Sequence, residues 1–279
     1  NGGSATVSGG GGGGGGTGRD DGGYKYWLVM DFEATCEKDD RTWPNEIIEF
    51  PAVLVDPTTR EVVDEFRSMV RPTERPTLTR FCTELTSITQ DQVDGAPELK
   101  EVLQSFDAWL SSHGISEDGA LSIWCGDWDL KTCLPRECER KALHGVVPPV
   151  LRQWCNIKFP FCDVMGSKKR RGMDGMLGEL RIELVGHHHL GIDDSRNIAK
   201  IALALAARGG VESVAATSHA RDVSMYRKAN GLVRAREQAA EAVPPQPLSP
   251  SHVPAPAPAP MSAPATTKPA AAAAAADGA

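Results

Sequence analysis

In the stretch YWLVMDFEATCE, residues 26–37, two acids stand two residues apart at the end of an apolar run. An unpaired carboxylate is costly to bury, so Asp31 and Glu33 call for cationic partners. Alternate side chains along a strand share a face, which puts both acids on one side and Phe32 on the other. Hard oxygen ligands of this kind suit Mg2+ or Mn2+. A metal centre needs further acids, and two places offer them: Asp127 and Asp129, just after the apolar run 121–124, and Asp193 and Asp194, at the start of a helical stripe. An acid in a first helical turn also has an ordinary use as a cap or dipole partner. A histidine on a nearby loop can take a proton from attacking water. His189 lies five residues before Asp194, and His187 and His188 compete with it; spacing alone does not separate the three. A zinc hydrolase built on this run is disfavoured, because three adjacent histidines cannot converge on one ion from a regular backbone.

The elements that must carry these groups are partly readable. Residues 26–32 form a compact apolar run, expected as one buried strand. A second strand is expected over 47–55, with Pro51 implying an edge position or a bulge. A hairpin turn at 56–59 leads to a third strand over 61–72, and 121–124 supplies a fourth. Leu99, Val102, Leu103, Phe106 and Leu110 make one helical stripe; Ile198, Ile201, Ala202 and Leu205 make another. Asp193, Asp194 or Ser195 can cap the second helix, and Gly209-Gly210 closes it. A helix is expected to start near Asp129, with Pro135 restarting or kinking it, and a short one lies within 172–184. Strands first, then helices and a further strand, point to an α/β fold: a mixed sheet with helices packed on it.

The 279 residues carry a formal net charge of -7, which argues neither for nor against nucleic acid. Residues 1–23 are a Gly-rich leader and 238–279 an Ala/Pro-rich tail, both expected to be disordered. One domain is expected between them, 24–237, with its core over 26–210. The seven cysteines are irregularly spaced, without Cys-x-x-Cys, and read as reduced thiols of an intracellular protein, cytoplasmic or nuclear. No signal peptide or membrane span is evident.

Four segments taken together, MDFEATCE, FCTELTSITQDQVDGAPEL, WCGDWDLK and HHHLGIDDSRNIAKIAL, closely resemble the DEDDh 3′-to-5′ exonucleases. The likeness is to the ERI-type branch, the enhanced-RNAi or histone-mRNA exonucleases, and runs in order over 26–210. The resemblance implies a ribonuclease H-like fold, with a mixed, mainly five-stranded sheet and helices on both faces. It implies four metal-binding acids, Asp31, Glu33, Asp129 and Asp194, two Mg2+ or Mn2+ ions, and His189 as general base. Asp127 then becomes a turn neighbour and Asp193 an adjacent, non-ligating acid or cap, while Asn197 orients the loop and helix start.

On this resemblance the expected activity is exoribonuclease action on RNA 3′ ends, single-stranded or stem-adjacent, releasing nucleoside 5′-monophosphates. It belongs to 3′-end processing or turnover of small RNA, rRNA or mRNA, by a monomeric domain with ribonucleoprotein partners. Expected substrate contacts are the backbone at Ala34 and Thr35, and Trp128, whose ring can stack on any base. The basic cluster Lys168, Lys169 and Arg170 can meet backbone phosphate or be a solvated loop. An SAP-type nucleic-acid module is not expected here; the Gly-rich leader stands in its place. The rival readings are a DNA-directed DEDDh exonuclease and a catalytically inactive RNA-binding protein on the same fold.

Overall fold

The computed structural model of the chain describes residues 24–40, 42–116 and 119–215. The expected leader and tail, and the last part of the expected domain, lie outside the described residues. Four strands open the fold: β1 (Tyr26–Val29), β2 (Glu33–Ala34), β3 (Ile47–Asp56) and β4 (Glu61–Met69). Three helices follow, α1 (Arg80–Thr86), α2 (Gln90–Asp94) and α3 (Leu99–Ser112), and then β5 (Ala120–Trp124). A π turn (Asp129–Cys133) runs directly into α4 (Leu134–Arg140), whose first turn holds Pro135. The remainder is β6 (Cys155–Asn156), α5 (Lys158–Met165), α6 (Met173–Leu180), α7 (Gly191–Gly209) and α8 (Val211–Ala215).

The sheet is mixed, with β4, β3, β1, β5 and β6 side by side and β2 pairing β3 beyond the end of β1. The expected five-strand width is therefore present, with β2 as a two-residue sixth piece. β3 runs antiparallel to β1, β2 and β4, whereas β5 is parallel to β1 and β6 to β5. Helices cover both faces. Leu28, Met30, Phe32 and Ala34 join one core with α3 and α4; Trp27 and Val29 join the other with α5, α6 and α7. That alternation is the period of two expected of a strand. It sends Phe32 against Phe50 and Trp124, with ring centroids 4.6 Å and 4.8 Å away, and leaves Asp31 and Glu33 on the α7 side.

The first apolar run is not one continuous strand. It stops at Val29 and resumes at Glu33, and Met30 N, donating to Ile123 O at 3.1 Å, makes the last bond of the β1–β5 ladder. The expectation for Pro51 is corrected as well: β3 is an interior strand, and its one shift against β4 falls at Leu54/Val55. The pairs Val29↔Val53 and Glu33↔Glu49 place Asp31 opposite Pro51, at the gap between β1 and β2. A proline has no N–H to offer a ladder, and the pairing opens where the first acid sits.

Gly191, the first residue of α7, closes over this gap. A Cβ there would lie 2.6 Å from Asp31 O, 3.0 Å from the Pro51 ring and 3.3 Å from a Glu49 carboxylate oxygen. Two of those contacts are with backbone or a rigid ring, so the helix would have to move. Gly191→Ala is expected to cost about 1–3 kcal/mol, the usual range for overpacking, and to lower activity together with melting temperature. Thermal unfolding alongside a turnover assay checks this; a variant with wild-type values in both would show that the approach has slack.

Candidate active site

The site lies beyond the carboxyl ends of β1 and β5, the parallel pair at the centre of the sheet. Ligand sites of parallel α/β sheets gather at that edge. β1 leads into Asp31 and β2 begins with Glu33, while β5 leads through a turn to Asp129. The backbone binds the two motifs together, since Phe32 N donates to Asp129 Oδ1 at 3.4 Å. Asp127 is occupied elsewhere, accepting from Trp154 Nε1 at 3.0 Å, so Asp129 and not Asp127 faces the first motif.

α7 delivers the remaining acid. The expected cap by Asp193, Asp194 or Ser195 is not what forms, because the helix begins at Gly191 and these residues already lie in its first turns. The fully buried carboxylate of Glu49, from β3, meets the first N–H groups instead. It accepts from Gly191 N at 2.9 Å and Ile192 N at 3.3 Å, and Arg67 Nε donates to it at 2.7 Å. An anion suits a helix N-terminus. Glu49 thereby sets where Asp194 sits. Asp193 faces outward, accepting from His187 N at 2.9 Å and pairing with Arg196 at 3.0 Å. Asn197 spans loop and helix: its amide donates to Val185 O at 2.8 Å and Asp193 O at 2.9 Å, and its oxygen accepts from Val185 N at 3.1 Å.

Ligand oxygens of Asp31, Glu33 and Asp194 all lie within 4.8 Å of one another. Asp194 also joins a second group of the same size with His188 and His189. The histidine run is thus divided. His187 turns away to Ser87 Oγ, 3.2 Å off. His188 has Nδ1 3.3 Å from Asp174 and stacks on His189 with centroids 4.0 Å apart. His189 holds a left-handed backbone, φ 68°, and its N–H donates to Asp194 Oδ2 at 2.9 Å. Burial, then the neighbouring His188, lowers its pKa and favours the neutral, proton-accepting ring.

The acids are electrostatically frustrated without cations. Burial first, then the neighbouring carboxylates, drives Glu33 up to about 10 and raises Asp31 well above its ordinary value. Burial also lifts Asp129 and Asp194 to about 6 each. Asp194 Oδ1 is buried and has no hydrogen-bond partner among the described residues. A convergent set of oxygen donors, one of them an orphan, fits hard divalent cations. Lys158, the first residue of α5, supplies a cation that lowers the pKa of Asp31 and Asp129. Its ammonium would be 3.8 Å from a Cβ at Gly126, in the turn before Asp129.

The pH consequence follows from the direction of these shifts. Folded carboxylates that hold protons more tightly than unfolded ones make the metal-free protein lose stability as pH rises from about 4 through 6, and further as Glu33 ionises. A cation bound by the ionised acids stabilises the fold. The rise in melting temperature on adding Mg2+ is therefore expected to be larger at pH 8 than at pH 5. Equal increments at both values would contradict the site.

The other residues expected to touch substrate are placed unevenly. Trp128, next to Asp129, is 43% exposed. Ala34 and Thr35 are buried, and the Thr35 backbone is engaged, its N–H donating to Glu46 O at 2.8 Å and its carbonyl accepting from Asn45 Nδ2 at 2.7 Å. Lys168, Lys169 and Arg170 lie on the exposed loop between α5 and α6, outside both ligand groups; Arg170 stands 5.1 Å over the Phe159 ring. None of the seven cysteines forms a disulfide. No helix among the described residues is long and apolar enough to cross a membrane.

The mixed sheet, with acids and a histidine loop at the end of its central parallel pair, is of the ribonuclease H-like class. A family model described as exonuclease matches residues 28–202. Human ERI1 exoribonuclease 3 is 43% identical over 188 residues, which is 67% of this chain and 55% of that protein. ERI1 exoribonuclease 2 of Danio rerio is 40% identical over 194 residues, 64% of this chain and 34% of that protein. Among solved structures, the nuclease domain of 3′hExo bound to rAMP, described as a DEDDh family member, is 34% identical with a TM-score of 0.63; the match covers 67% of this chain and 94% of that one. A 3′-exonuclease bound at a histone mRNA stem-loop is 33% identical with a TM-score of 0.64, over 67% of this chain and 65% of that one. The chain belongs to the DEDDh exonuclease family, and it is similar over this region to the ERI1 exoribonucleases. It spans about half the length of the human relative.

Proposed function

We propose that this chain is a metal-dependent 3′-to-5′ exoribonuclease that removes nucleoside 5′-monophosphates one at a time from RNA 3′ ends. The observation that carries this reading is the meeting of Asp31, Glu33 and Asp194 within 4.8 Å, with Asp129 tied to the same turn and His189 tied to Asp194. Asp31, Glu33, Asp129 and Asp194 would hold two divalent ions, Mg2+ or Mn2+. Such ions supply Lewis-acid polarisation of water and neutralise charge on the phosphoryl group.

The chain's own residues do the rest. His189, neutral and at the mouth of the site, accepts the proton of the attacking water. Its backbone N–H keeps Asp194 turned inward while the ring is protonated. Lys158 adds positive charge beside Asp31 and Asp129, where a scissile phosphate would come to rest. Trp128, exposed one residue before Asp129, offers the terminal base a stacking surface without base preference. Lys168, Lys169 and Arg170 remain candidates for more distant phosphate contact. RNA as the substrate class draws on the exoribonuclease relatives and on the rAMP and stem-loop complexes of the solved relatives. Acting on RNA inside the cell, alone or with ribonucleoprotein partners, follows from the same reading.

The test is digestion of matched RNA and DNA oligonucleotides, each single-stranded or with a stem, in Mg2+ and in Mn2+. RNA is expected to be shortened faster than DNA of the same sequence. Faster loss of DNA would move the chain to the DNA-directed reading, and binding without cleavage in either metal would move it to the inactive one.

A further inference from the structure

We infer that the groove between the segment following Glu33 and the π turn carrying Asp129 is the path of single-stranded RNA upstream of the terminal nucleotide. This rests on the exoribonuclease reading and adds a binding surface to it. The groove has a volume of about 290 Å3, with Trp43 and Asn45 on one wall and Thr132, Arg136 and Arg140 on the other. Both walls continue elements of the metal site. Thr132 belongs to the same π turn as Asp129, and Arg136 and Arg140 to the helix that follows it. On the opposite wall, Asn45 is bonded to Thr35, two residues past Glu33.

Its charge suits a polyanion. The lining residues include two arginines and no carboxylate; the acids bonded to the lining, Glu74 on Arg140 and Asp40 on Thr42, are outnumbered by Arg136, Arg140 and the rim Arg75. Arg136 is exposed and its guanidinium makes no hydrogen bond or ion pair among the described residues. Arg140 is held in place by Glu74 at 2.8 Å and Asn45 O at 2.7 Å. Arg75 stands 4.8 Å over the Trp43 ring, adding a third cation at the rim and fixing the aromatic wall. A basic groove with an aromatic wall is the arrangement that tracks a single strand through its phosphates and stacks its bases.

The experiment measures KM and kcat of the full chain on single-stranded RNA of four and twelve nucleotides, at several salt concentrations. Arg136→Glu is expected to raise KM on the twelve-mer about tenfold, to change kcat less, and to make the salt slope shallower by about one. Arg208→Glu makes the same charge change at the far end of α7, about 20 Å along the helix from Asp194, and is expected to leave KM unchanged. Arg136→Ala, which keeps an exposed helical position, decides the matter if the charge reversal impairs folding. Wild-type KM in the Arg136 variants, or an equal rise in Arg208→Glu, would overturn the path. If the wild type itself shortens no RNA, the exoribonuclease reading fails with it, and that shows in the wild-type reaction alone.

Discussion

Asp31→Asn is expected to abolish hydrolysis while making the metal-free protein more stable. Asp31 stands at the break between β1 and β2, with burial, Asp129 and Asp194 all raising its pKa. Near neutral pH its ionised form is a burden on the metal-free fold, and an amide of the same shape removes that burden. The same change removes one of the three oxygens that, with those of Glu33 and Asp194, could hold an ion. Metal catalysis accounts for several kcal/mol of transition-state stabilisation, so a loss of about a thousandfold or more is expected. Melting curves with and without Mg2+, alongside initial rates, separate the two effects. The variant should melt higher than wild type without metal and gain less from Mg2+. A lower metal-free melting temperature would mean that the Asp31 carboxylate holds the fold through a structural partner.

His189→Asn should lower kcat by about 100- to 10,000-fold, the usual contribution of a positioned general base. Asn is the appropriate replacement because His189 holds φ 68°, a left-handed conformation that Asn tolerates better than most residues. The backbone N–H to Asp194 at 2.9 Å survives the change, so the ligand stays in place. His188→Asn is the control. Its ring stacks on His189, pairs with Asp174 and lies 3.9 Å from Asp194, so its loss should cost activity but less than that of His189. If the two variants lost activity equally, the base would not be His189 alone.

The grouping of the acids was more legible in the sequence than the scaffold that aims them. Strand alternation is enough to put Asp31 and Glu33 on one face and Phe32 in the opposite core, and the structure has them so. Spacing could not choose among the histidines or between Asp127 and Asp129, because the choice depends on long-range partners such as Ser87 and Trp154. Glu49 was invisible as the partner of α7: it is one acid inside an apolar strand, and its role appears only when the helix start, 142 residues away, is brought to it. β6 is two residues long and has no pattern to detect, and Lys158 was missed with it. Pro51 was read by the usual edge rule, but it lies in an interior strand opposite a break in the pairing.

Stepwise, metal-dependent removal of nucleotides from an RNA 3′ end is read out on 5′-labelled single-stranded RNA. With Mg2+ or Mn2+ a ladder of products shortening from the 3′ end is expected, with release of nucleoside 5′-monophosphates and complete arrest by a chelator. Cleavage at internal positions from the earliest times, or undiminished degradation with the chelator present, would contradict it.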